Sequence, residues 1–226
     1  VADVDGTLLG DDEGWSRLEE ALDENPDLLL VPNSSRPLVS LSRSWREHEI
    51  WRPFPAQVGA LGTEVIIDDR DLGWSDRFDG FDRGRIDQAM SAMGYATNGE
   101  EFQTALKASY RVPRDEWAWT RAAISRIAPV RVVTSGESDL DVIPSTAGKS
   151  APMSYLSESL VVDPERVVAA GDSMNDLDLL MASPHRVVVN NAESGLFEAT
   201  SGLAFHSSEP CAGGVLEGLI SLGLIQ

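Results

Sequence analysis

The amino-acid sequence predicts an α/β fold, in which a Rossmann-like core with a parallel sheet and helices on both faces carries a smaller inserted α+β domain. Short apolar runs alternate with amphipathic stretches at both ends of the chain, as expected of strands that alternate with helices. The middle of the chain departs from this alternation, because two helical stretches there accompany strands that can pair with one another. We therefore predict a core formed by residues 1–71 and 146–226, interrupted by an inserted domain at residues 72–145.

The first core segment opens with the end of a strand at residues 1–2. A helix is predicted over residues 15–22, where apolar side chains recur with helical spacing. The apolar run at residues 28–31 is typical of a buried strand, and residues 65–67 form another short strand. Between these strands a second helix begins at Pro37, because proline is favoured in the first turn of a helix.

The same patterns predict the elements of the insert and of the last core segment. In the insert, helices are predicted at residues 83–93 and 114–127, and strands at residues 105–112, 130–134 and 140–143. In the last core segment, strands are predicted at residues 166–170 and 187–189, and helices at residues 151–160, 176–181 and 213–222. The alternation of strand and helix therefore resumes after the insert.

Charge and composition limit the partners of the chain. With 37 acidic and 18 basic residues among its 226, the chain has a formal net charge of −19, which disfavours nucleic acid and anionic membranes as partners. No apolar run approaches the ~20 residues that a membrane-spanning helix requires. The single cysteine, Cys211, excludes an internal disulfide framework, so the expected location is the cytoplasm. The sequence is compatible with a monomer and with a dimer.

Two carboxylates follow the first strand, in the run Asp3-Val4-Asp5-Gly6-Thr7. Ligands of open α/β sheets bind beyond the carboxyl ends of the strands, and a turn at Gly6 can bring both carboxylates to one site. One of them can attack phosphorus, and the other can protonate a leaving alcohol. The alternative is a simple turn in which an aspartate caps a helix.

A hydroxyl and a lysine form the next two polar motifs. Ser34 directly follows the strand at residues 28–31, where it can hold phosphate oxygens or serve only as a helix cap. Lys149 opens a helix after the insert. Its ammonium group can offset the charge of a nucleophile and a phosphate, although most lysines are simply solvated.

An acidic loop, residues 171–176, follows the strand at residues 166–170. Mg²⁺ prefers oxygen ligands, few of them from protein, and Asp172 can supply one. Asn175 and Asp176 can support that ligand or its waters from behind. The alternative is an acidic helix start, which the helix dipole favours.

The order of these four motifs resembles the haloacid dehalogenase-like phosphatase superfamily. The superfamily pattern is D-x-D-x-T, then Ser or Thr, then Lys, then G-D-x-x-N-D. It is matched over the whole chain by Asp3, Asp5, Thr7, Ser34, Lys149, Asp172, Asn175 and Asp176. The resemblance implies a magnesium-dependent phosphatase rather than a dehalogenase, since only a phosphatase needs the proton donor that Asp5 provides.

The resemblance also implies a role for each matched residue. Asp3 is expected to be the nucleophile and a metal ligand, and Asp5 the general acid and base, with its backbone carbonyl on Mg²⁺. Asp172 is expected to be the third protein ligand of the metal. The remaining matches are expected to bind phosphate (Ser34), to balance charge (Lys149) and to support the metal loop (Asn175 and Asp176).

Shorter motifs, such as the run at residues 135–144, resemble the sucrose-phosphate phosphatase-like branch, which implies an α/β type II cap over the site and a small phosphorylated sugar as substrate. Candidate substrate-binding residues are Ser35, Arg36, Thr63, Glu64, Lys107, Asp139 and Asp141. Each has a structural alternative, such as a turn cap, an ion pair or a solvated charge. Glu137 stands where that branch is expected to have a basic residue, so a glycosyl-glycerate phosphate competes with a sucrose-phosphate-like substrate.

We therefore predict a phosphoric monoester hydrolase that acts on a small sugar phosphate through an aspartyl-phosphate intermediate. Two alternatives are a sugar phosphomutase of the same superfamily and a non-catalytic sugar-phosphate-binding protein.

Overall fold

The structure is a computed structural model that describes residues 1–225. The first core segment contains helices α1 (Asp12–Glu24) and α2 (Leu38–Glu47) and strands β1 (Ala56–Gly59), β2 (Glu64–Ile67) and β3 (Arg70–Asp71). The insert contains α3 (Arg83–Ala92), β4 (Ala96–Thr97), β5 (Ala108–Arg111), α4 (Trp117–Ser125), β6 (Val130–Ser135) and β7 (Asp139–Pro144). The last core segment contains α5 (Met153–Ser159), β8 (Val168–Gly171), α6 (Leu177–Met181), β9 (His185–Val188), α7 (Ser194–Ala199), β10 (Phe205–His206) and α8 (Cys211–Ser221).

The core is built on a sheet whose centre is parallel, which confirms the predicted α/β class. Strands β8, β9 and β10 lie side by side in parallel. The first residues of the chain extend this sheet, because Ala2 pairs in parallel with both Ala170 and Pro32. Asn33 in turn pairs with Val58 of β1. The strand predicted at residues 28–31 is therefore shifted in the structure. The residues that pair with the sheet are Pro32 and Asn33, directly after the apolar run, and Pro32 pairs with Ala2.

The edge beyond β1 differs from the simple parallel sheet that the sequence predicts. Strands β1, β2 and β3 form an antiparallel meander. The apolar pattern predicts β2 but not β1, because residues 56–59 carry no long apolar run. Helices cover the core sheet with amphipathic faces. In α1, for example, Trp15, Leu18 and Leu22 are buried, and each such side chain contributes about 1.5–3 kcal/mol of transfer free energy.

The insert has its own four-stranded antiparallel sheet, in the order β4-β5-β7-β6. Alternate residues of this sheet point to opposite faces. One face is apolar and packs on α3 and α4; its buried members include Ala108, Tyr110, Val112, Leu140 and Val142. The limits of this domain, residues 72–145, stay a prediction.

The opposite face of the insert sheet is polar. Ser109 of β5 lies beside Asp141 of β7 in register, and Asp139 is two residues away on the same face. On β6, Arg131 and Ser135 share this face, because they pair with residues 143 and 139. We call this surface the polar face of the insert, and it is the face that contacts the core.

Within residues 1–225, no helix combines the length and the apolar character that crossing a bilayer would require.

Candidate active site

Three of the sequence motifs meet at the carboxyl edge of the core sheet. Asp3 donates its backbone N–H to Ala170 of β8 at 3.0 Å, so the first strand ends beside the start of the acidic loop. On its other side, the N–H of Asn33 donates to the carbonyl of Ala2 at 2.8 Å. Ser34 therefore emerges next to Asp3. This convergence follows from parallel neighbours that end at the same edge of a sheet.

Lys149 joins these motifs from a loop after the insert. Its ammonium group donates to Oδ1 of Asp3 and to Oδ1 of Asp176. All three side chains are buried, and Lys149 is 1% exposed. Carboxylate oxygens of Asp3, Asp172 and Asp176 lie within 4.8 Å of one another. The structure thus brings together the predicted nucleophile, the predicted charge-balancing lysine and the acidic loop.

The three carboxylates of this cluster differ in their hydrogen-bond partners. Oδ2 of Asp176 accepts the backbone N–H groups of Asp172 at 3.1 Å and Ser173 at 3.0 Å. Its other oxygen accepts from Lys149, so Asp176 is engaged in holding the loop. Asp172 accepts one side-chain bond, from the hydroxyl of Thr7 at 3.2 Å. Asp3 and Asp172 are therefore the two carboxylates with oxygen lone pairs left for a cation.

Burial raises the pKa of Asp3 well above its usual range, and the nearby Asp176 carboxylate adds to this, while Lys149 opposes it. Burial likewise raises the pKa of Asp172 to about 6, again with help from Asp176. Burial by itself would lower the pKa of Lys149, but the charges of Asp176 and Asp3 outweigh it and raise that pKa above its ordinary value. The cluster is thus short of positive charge.

These residues fit a magnesium ion. Three carboxylates against one ammonium leave two negative charges in a buried space, which a divalent cation would neutralise. Mg²⁺ prefers carboxylate, carbonyl and water oxygens. Asp3 and Asp172 could hold it, and the backbone carbonyl of Asp5 stays a predicted ligand. Oδ1 of Asn175, within the acidic loop, is a buried acceptor without a protein partner and could receive a metal-bound water.

Magnesium is expected to stabilise the protein more at about pH 7.5 than at about pH 5. Because the pKa of Asp172 rises on folding to about 6, its carboxyl contributes stability below about pH 4 that is lost as the pH rises through about 6. A metal ion relieves the repulsion that remains above that range. At a hundredfold excess over Kd, Mg²⁺ should raise Tm by roughly 5–10 °C.

Thermal unfolding in MgCl₂ and in NaCl of equal ionic strength checks this expectation. Asp172→Asn should lose most of the Mg²⁺-dependent shift. Equal shifts in the two salts, or a larger shift at the lower pH, would contradict the assignment of Asp3 and Asp172 as ligands.

Asp5 and Arg36 form a two-pronged ion pair at the mouth of the site. Nε and Nη2 of Arg36 donate to the two carboxylate oxygens of Asp5 at 2.6 and 2.8 Å, and this contact raises the pKa of Arg36. The Asp5 side chain is 46% exposed, unlike that of Asp3. The backbone N–H of Arg36 donates to the hydroxyl of Ser34 at 3.1 Å, which leaves the hydroxyl proton of Ser34 free to donate elsewhere.

The insert reaches this loop through Lys107. The Lys107 ammonium group donates to the backbone carbonyl of Ser35 at 3.0 Å and lies 3.2 Å from Oδ2 of Asp141. Lys107 is 2% exposed and Asp141 is 6% exposed. Oδ1 of Asp141 has no hydrogen-bond partner in the protein. On the polar face, Asp139 accepts from the amide of Asn98 at 3.2 Å.

Two of the substrate-binding candidates make bonds within the core. The hydroxyl of Thr63 donates to the carbonyl of Ala60 at 2.9 Å, and Thr63 is fully buried. Glu64 accepts the backbone N–H of Leu38 at 2.8 Å, at the start of α2. Burial raises the pKa of Glu64. The alternative from the sequence was that these two residues merely start a strand, and Glu64 is the first residue of β2. Substrate contact by either residue stays a prediction.

The structure also shows polar residues at the site that sequence reasoning did not select. The buried amide of Asn33 donates to the backbone carbonyl of Lys149 at 2.8 Å. The amide of Asn191 donates to the carbonyl of Gly6 at 2.7 Å. Gly6 itself has φ +79°, and a Cβ there would lie 2.5 Å from Oδ2 of Asp172. The turn predicted at Gly6 agrees with this conformation. The position of Asn33 beside Ser34 was the sequence signal for its contact, and Asn191 had none.

The fold and the site define a haloacid dehalogenase-like protein with an inserted cap. Its structure superposes on that of the sucrose-phosphatase of Synechocystis sp. PCC6803 with a TM-score of 0.88 at 22% identity, covering 98% of this chain and 96% of that one. It also matches a haloacid dehalogenase-like hydrolase from Bacillus subtilis, with a TM-score of 0.69 at 17% identity, over 98% of this chain and 90% of that one.

The family follows from the sequence comparisons. The model of the sucrose-6F-phosphate phosphohydrolase family matches residues 1–223, and the chain belongs to this family. It is 30% identical to the mannosylfructose-phosphate phosphatase of Agrobacterium fabrum, over 98% of this chain and 95% of that protein. It is also 27% identical to a probable sucrose-phosphatase of Arabidopsis thaliana. That match covers 97% of this chain and 58% of the Arabidopsis protein.

Proposed function

We propose that this protein is a magnesium-dependent phosphatase that hydrolyses the phosphate ester of a small sugar through an aspartyl-phosphate on Asp3. The observation that carries the proposal is the buried cluster in which Lys149 bridges Asp3 and Asp176 beside Asp172. The relatives named as mannosylfructose-phosphate phosphatase and sucrose-phosphatase support a phosphorylated disaccharide as the substrate class. We propose the cytoplasm as the place of action.

In the first step, a carboxylate oxygen of Asp3 attacks phosphorus, and the bond from phosphorus to the sugar oxygen breaks. Asp5 donates a proton to the departing sugar oxygen, which requires that Asp5 be protonated and released from its two-pronged contact with Arg36. The ammonium group of Lys149 and the hydroxyl of Ser34 stabilise charge on the phosphoryl oxygens. Asp3 and Asp172 would hold Mg²⁺, which would supply further neutralisation of charge at the site.

In the second step, Asp5 takes a proton from water, and the water oxygen attacks the phosphorus of the aspartyl-phosphate. The bond to Asp3 breaks, so that phosphate leaves and both carboxyl groups return to their starting states. The Asp5 side chain is 46% exposed, on the open side of the site, where a leaving group and a water molecule both have access. Residues 34–36 connect this region to the insert: the hydroxyl of Ser34 accepts the backbone N–H of Arg36, and the carbonyl of Ser35 accepts from Lys107.

The polar face of the insert supports a sugar as the leaving group. A disaccharide offers many hydroxyl groups and no charge, so its site needs fixed acceptors and donors rather than an apolar wall. Asp141 combines deep burial with an unpaired acceptor oxygen. Buried polar groups of this kind are normally bonded, and a sugar hydroxyl can supply the missing donor. Asp139 and Lys107 flank it.

Release of inorganic phosphate from a panel of sugar phosphates tests the proposal, and Asp141→Asn tests the sugar contact. We expect Asp141→Asn to lower kcat/KM for the preferred sugar phosphate by about 10–100-fold, since hydrogen bonds to a charged group contribute about 1.5–3 kcal/mol. Turnover of 4-nitrophenyl phosphate, which has no sugar, should change little.

Asp87→Asn is the matched control, because Asp87 lies in the insert and pairs with Arg83 instead. Transfer of the phosphoryl group to a second sugar without phosphate release would favour a mutase. Absence of turnover on every ester of the panel would contradict an enzyme. An equal loss on 4-nitrophenyl phosphate would contradict the role of Asp141 in binding the sugar.

A further inference from the structure

Arg131 and Asp178 form an ion pair between the insert and the core. Arg131 lies on the polar face, in β6, and its Nη1 is 3.0 Å from Oδ2 of Asp178 in α6. Asp178 follows Asp176 by two residues. The two side chains are 37% and 19% exposed, so the pair is partly shielded from water. The pair therefore ties a strand of the insert to the helix that follows the acidic loop.

The same carboxylate oxygen holds the chain just after Lys149. Oδ2 of Asp178 accepts the hydroxyl of Ser150 at 3.0 Å and the backbone N–H of Ser150 at 3.3 Å. On the other side of the lysine, Nη1 of Arg131 donates to the carbonyl of Ala147 at 3.1 Å. The ion pair is thus bonded to the residues on both flanks of the short Gly148-Lys149 segment, which is the returning connection from insert to core.

Gly148 leaves the space in which the pair forms. A Cβ at this position would lie 2.1 Å from Nη1 of Arg131 and 2.6 Å from Oδ2 of Asp178. The residue also has φ +148°, a conformation that favours glycine. On the opposite side, a Cβ at Gly62 would lie 2.0 Å from the carbonyl oxygen of Gly148. The Gly148-Lys149 connection is therefore packed closely on two sides. The ion pair of Arg131 and Asp178 lies on one side, and Gly62 lies on the other.

We propose that Arg131 and Asp178 are positioning residues for Lys149, and that their ion pair makes the placement of this lysine depend on the insert being docked on the core. Docking brings the Arg131 guanidinium group to Asp178 and to the carbonyl of Ala147. Asp178 in turn accepts from Ser150, and these contacts together fix the lysine between Asp3 and Asp176. When the insert moves away, the pair breaks, and the lysine loop loses the bond from Arg131 to Ala147 on one flank. Asp178 is then no longer held by Arg131 as it binds Ser150 on the other flank. The proposal rests on the proposed function only for the catalytic role of Lys149.

Hydrogen exchange of the full chain tests the positioning directly, without substrate. In Arg131→Met and Asp178→Asn, we expect the amides of residues 147–151 to exchange at least about tenfold faster, because opening of this loop becomes easier. Arg17→Met is the matched control, since Arg17 pairs with Glu209 at the surface of the core. Exchange that rises no more than in this control would overturn the proposal.

Kinetics supply the second test. Each variant should lower kcat for 4-nitrophenyl phosphate about tenfold with little change in KM, and Arg131→Lys should recover part of the loss. The loss in the double variant should be clearly smaller than the product of the two single losses, because both substitutions break the shared ion pair. Additive losses, or a change confined to KM, would overturn the proposal. If Arg131→Met does not fold, Arg131→Lys and Asp178→Asn carry the same comparison.

The two tests separate this proposal from the proposed function. Faster exchange at residues 147–151 in a protein that hydrolyses no sugar phosphate would contradict the proposed function and leave the ion pair as the element that holds the lysine loop. If the protein hydrolyses a sugar phosphate but exchange at residues 147–151 is unchanged in both variants, the proposed function stands and the positioning role of the ion pair is contradicted.

Discussion

Asp3→Asn is expected to lower kcat at least about a thousandfold, because an amide oxygen cannot form the aspartyl-phosphate on which both chemical steps depend. The fold should survive. Asp3 is buried beside two other carboxylates, and its raised pKa shows that burial opposes its charge. Removing that charge takes away repulsion, and Lys149 keeps its bond to Asp176. The loss therefore falls on chemistry rather than on stability.

Rapid quenching with a substrate labelled in its phosphate gives a direct measurement. The wild-type protein should retain label on the denatured chain, whereas Asp3→Asn should retain none. Asp12→Asn is the control, because Asp12 is a carboxylate of α1 whose side chain is 98% exposed. If Asp3→Asn kept turnover within about tenfold of the wild type, another group would be the nucleophile.

The parts of this site that sequence analysis could predict are those fixed by the chain locally. Asp3 directly follows the paired residue Ala2, and Asp172 directly follows β8. Recognising these strands was therefore enough to place both carboxylates at the carboxyl edge of the sheet. The acidic loop could likewise be recognised from residues 171–176 alone. Within it, Asp176 caps the turn with Ser173, which is a local interaction that the alternative of a helix start had described.

Contacts between distant segments could not be predicted in the same way. Asp5 and Arg36 are 31 residues apart, and their pairing depends on how two loops leave the sheet. The contact of Lys107 with Ser35 joins the insert to the core. No periodicity or spacing encodes the orientation in which two domains dock. Strand β1 was missed for a different reason, since its four residues show no alternation strong enough to separate it from a loop.

The same distinction explains why Asn33 escaped notice. Its side-chain amide donates to the backbone carbonyl of Lys149, which is 116 positions away in the sequence. No sequence rule for an asparagine in a loop predicts such a partner. Asn33 is fully buried, and a buried amide needs partners that only the fold supplies. Functional side chains at strand ends are thus predictable, whereas the residues that orient them are not.

Lys149→Met should cause the largest loss of stability among these variants. The substitution keeps a long side chain but leaves Asp3 and Asp176 without their ammonium partner, next to the carboxylate of Asp172. Breaking a buried ion pair by removing one member costs about 3–5 kcal/mol. Because the pKa of Lys149 is raised on folding, its contribution is complete below its ordinary pKa and is lost only at strongly alkaline pH. The loss should therefore be fully visible at neutral pH.

The pH dependence of this loss distinguishes it from a simple packing defect. The carboxyl groups left behind have raised pKa values, about 6 for Asp172, so near pH 5 they can bind protons and their repulsion falls. The free energy of unfolding of Lys149→Met, measured by urea denaturation, should consequently approach that of the wild type near pH 5 and fall away from it near pH 7.5.

Magnesium should recover part of the stability of Lys149→Met at the higher pH, because a divalent cation replaces some of the missing positive charge. It should not recover turnover, which we expect to stay about a hundredfold to a thousandfold below the wild type, since the ammonium group also stabilises the phosphoryl oxygens. Arg17→Met again serves as the control, and the exposed pair that it breaks should leave stability nearly unchanged at both pH values. A loss of equal size at both pH values would mean that Lys149 stabilises the protein through its packing, and the charge balance that connects the lysine to the metal would then be wrong.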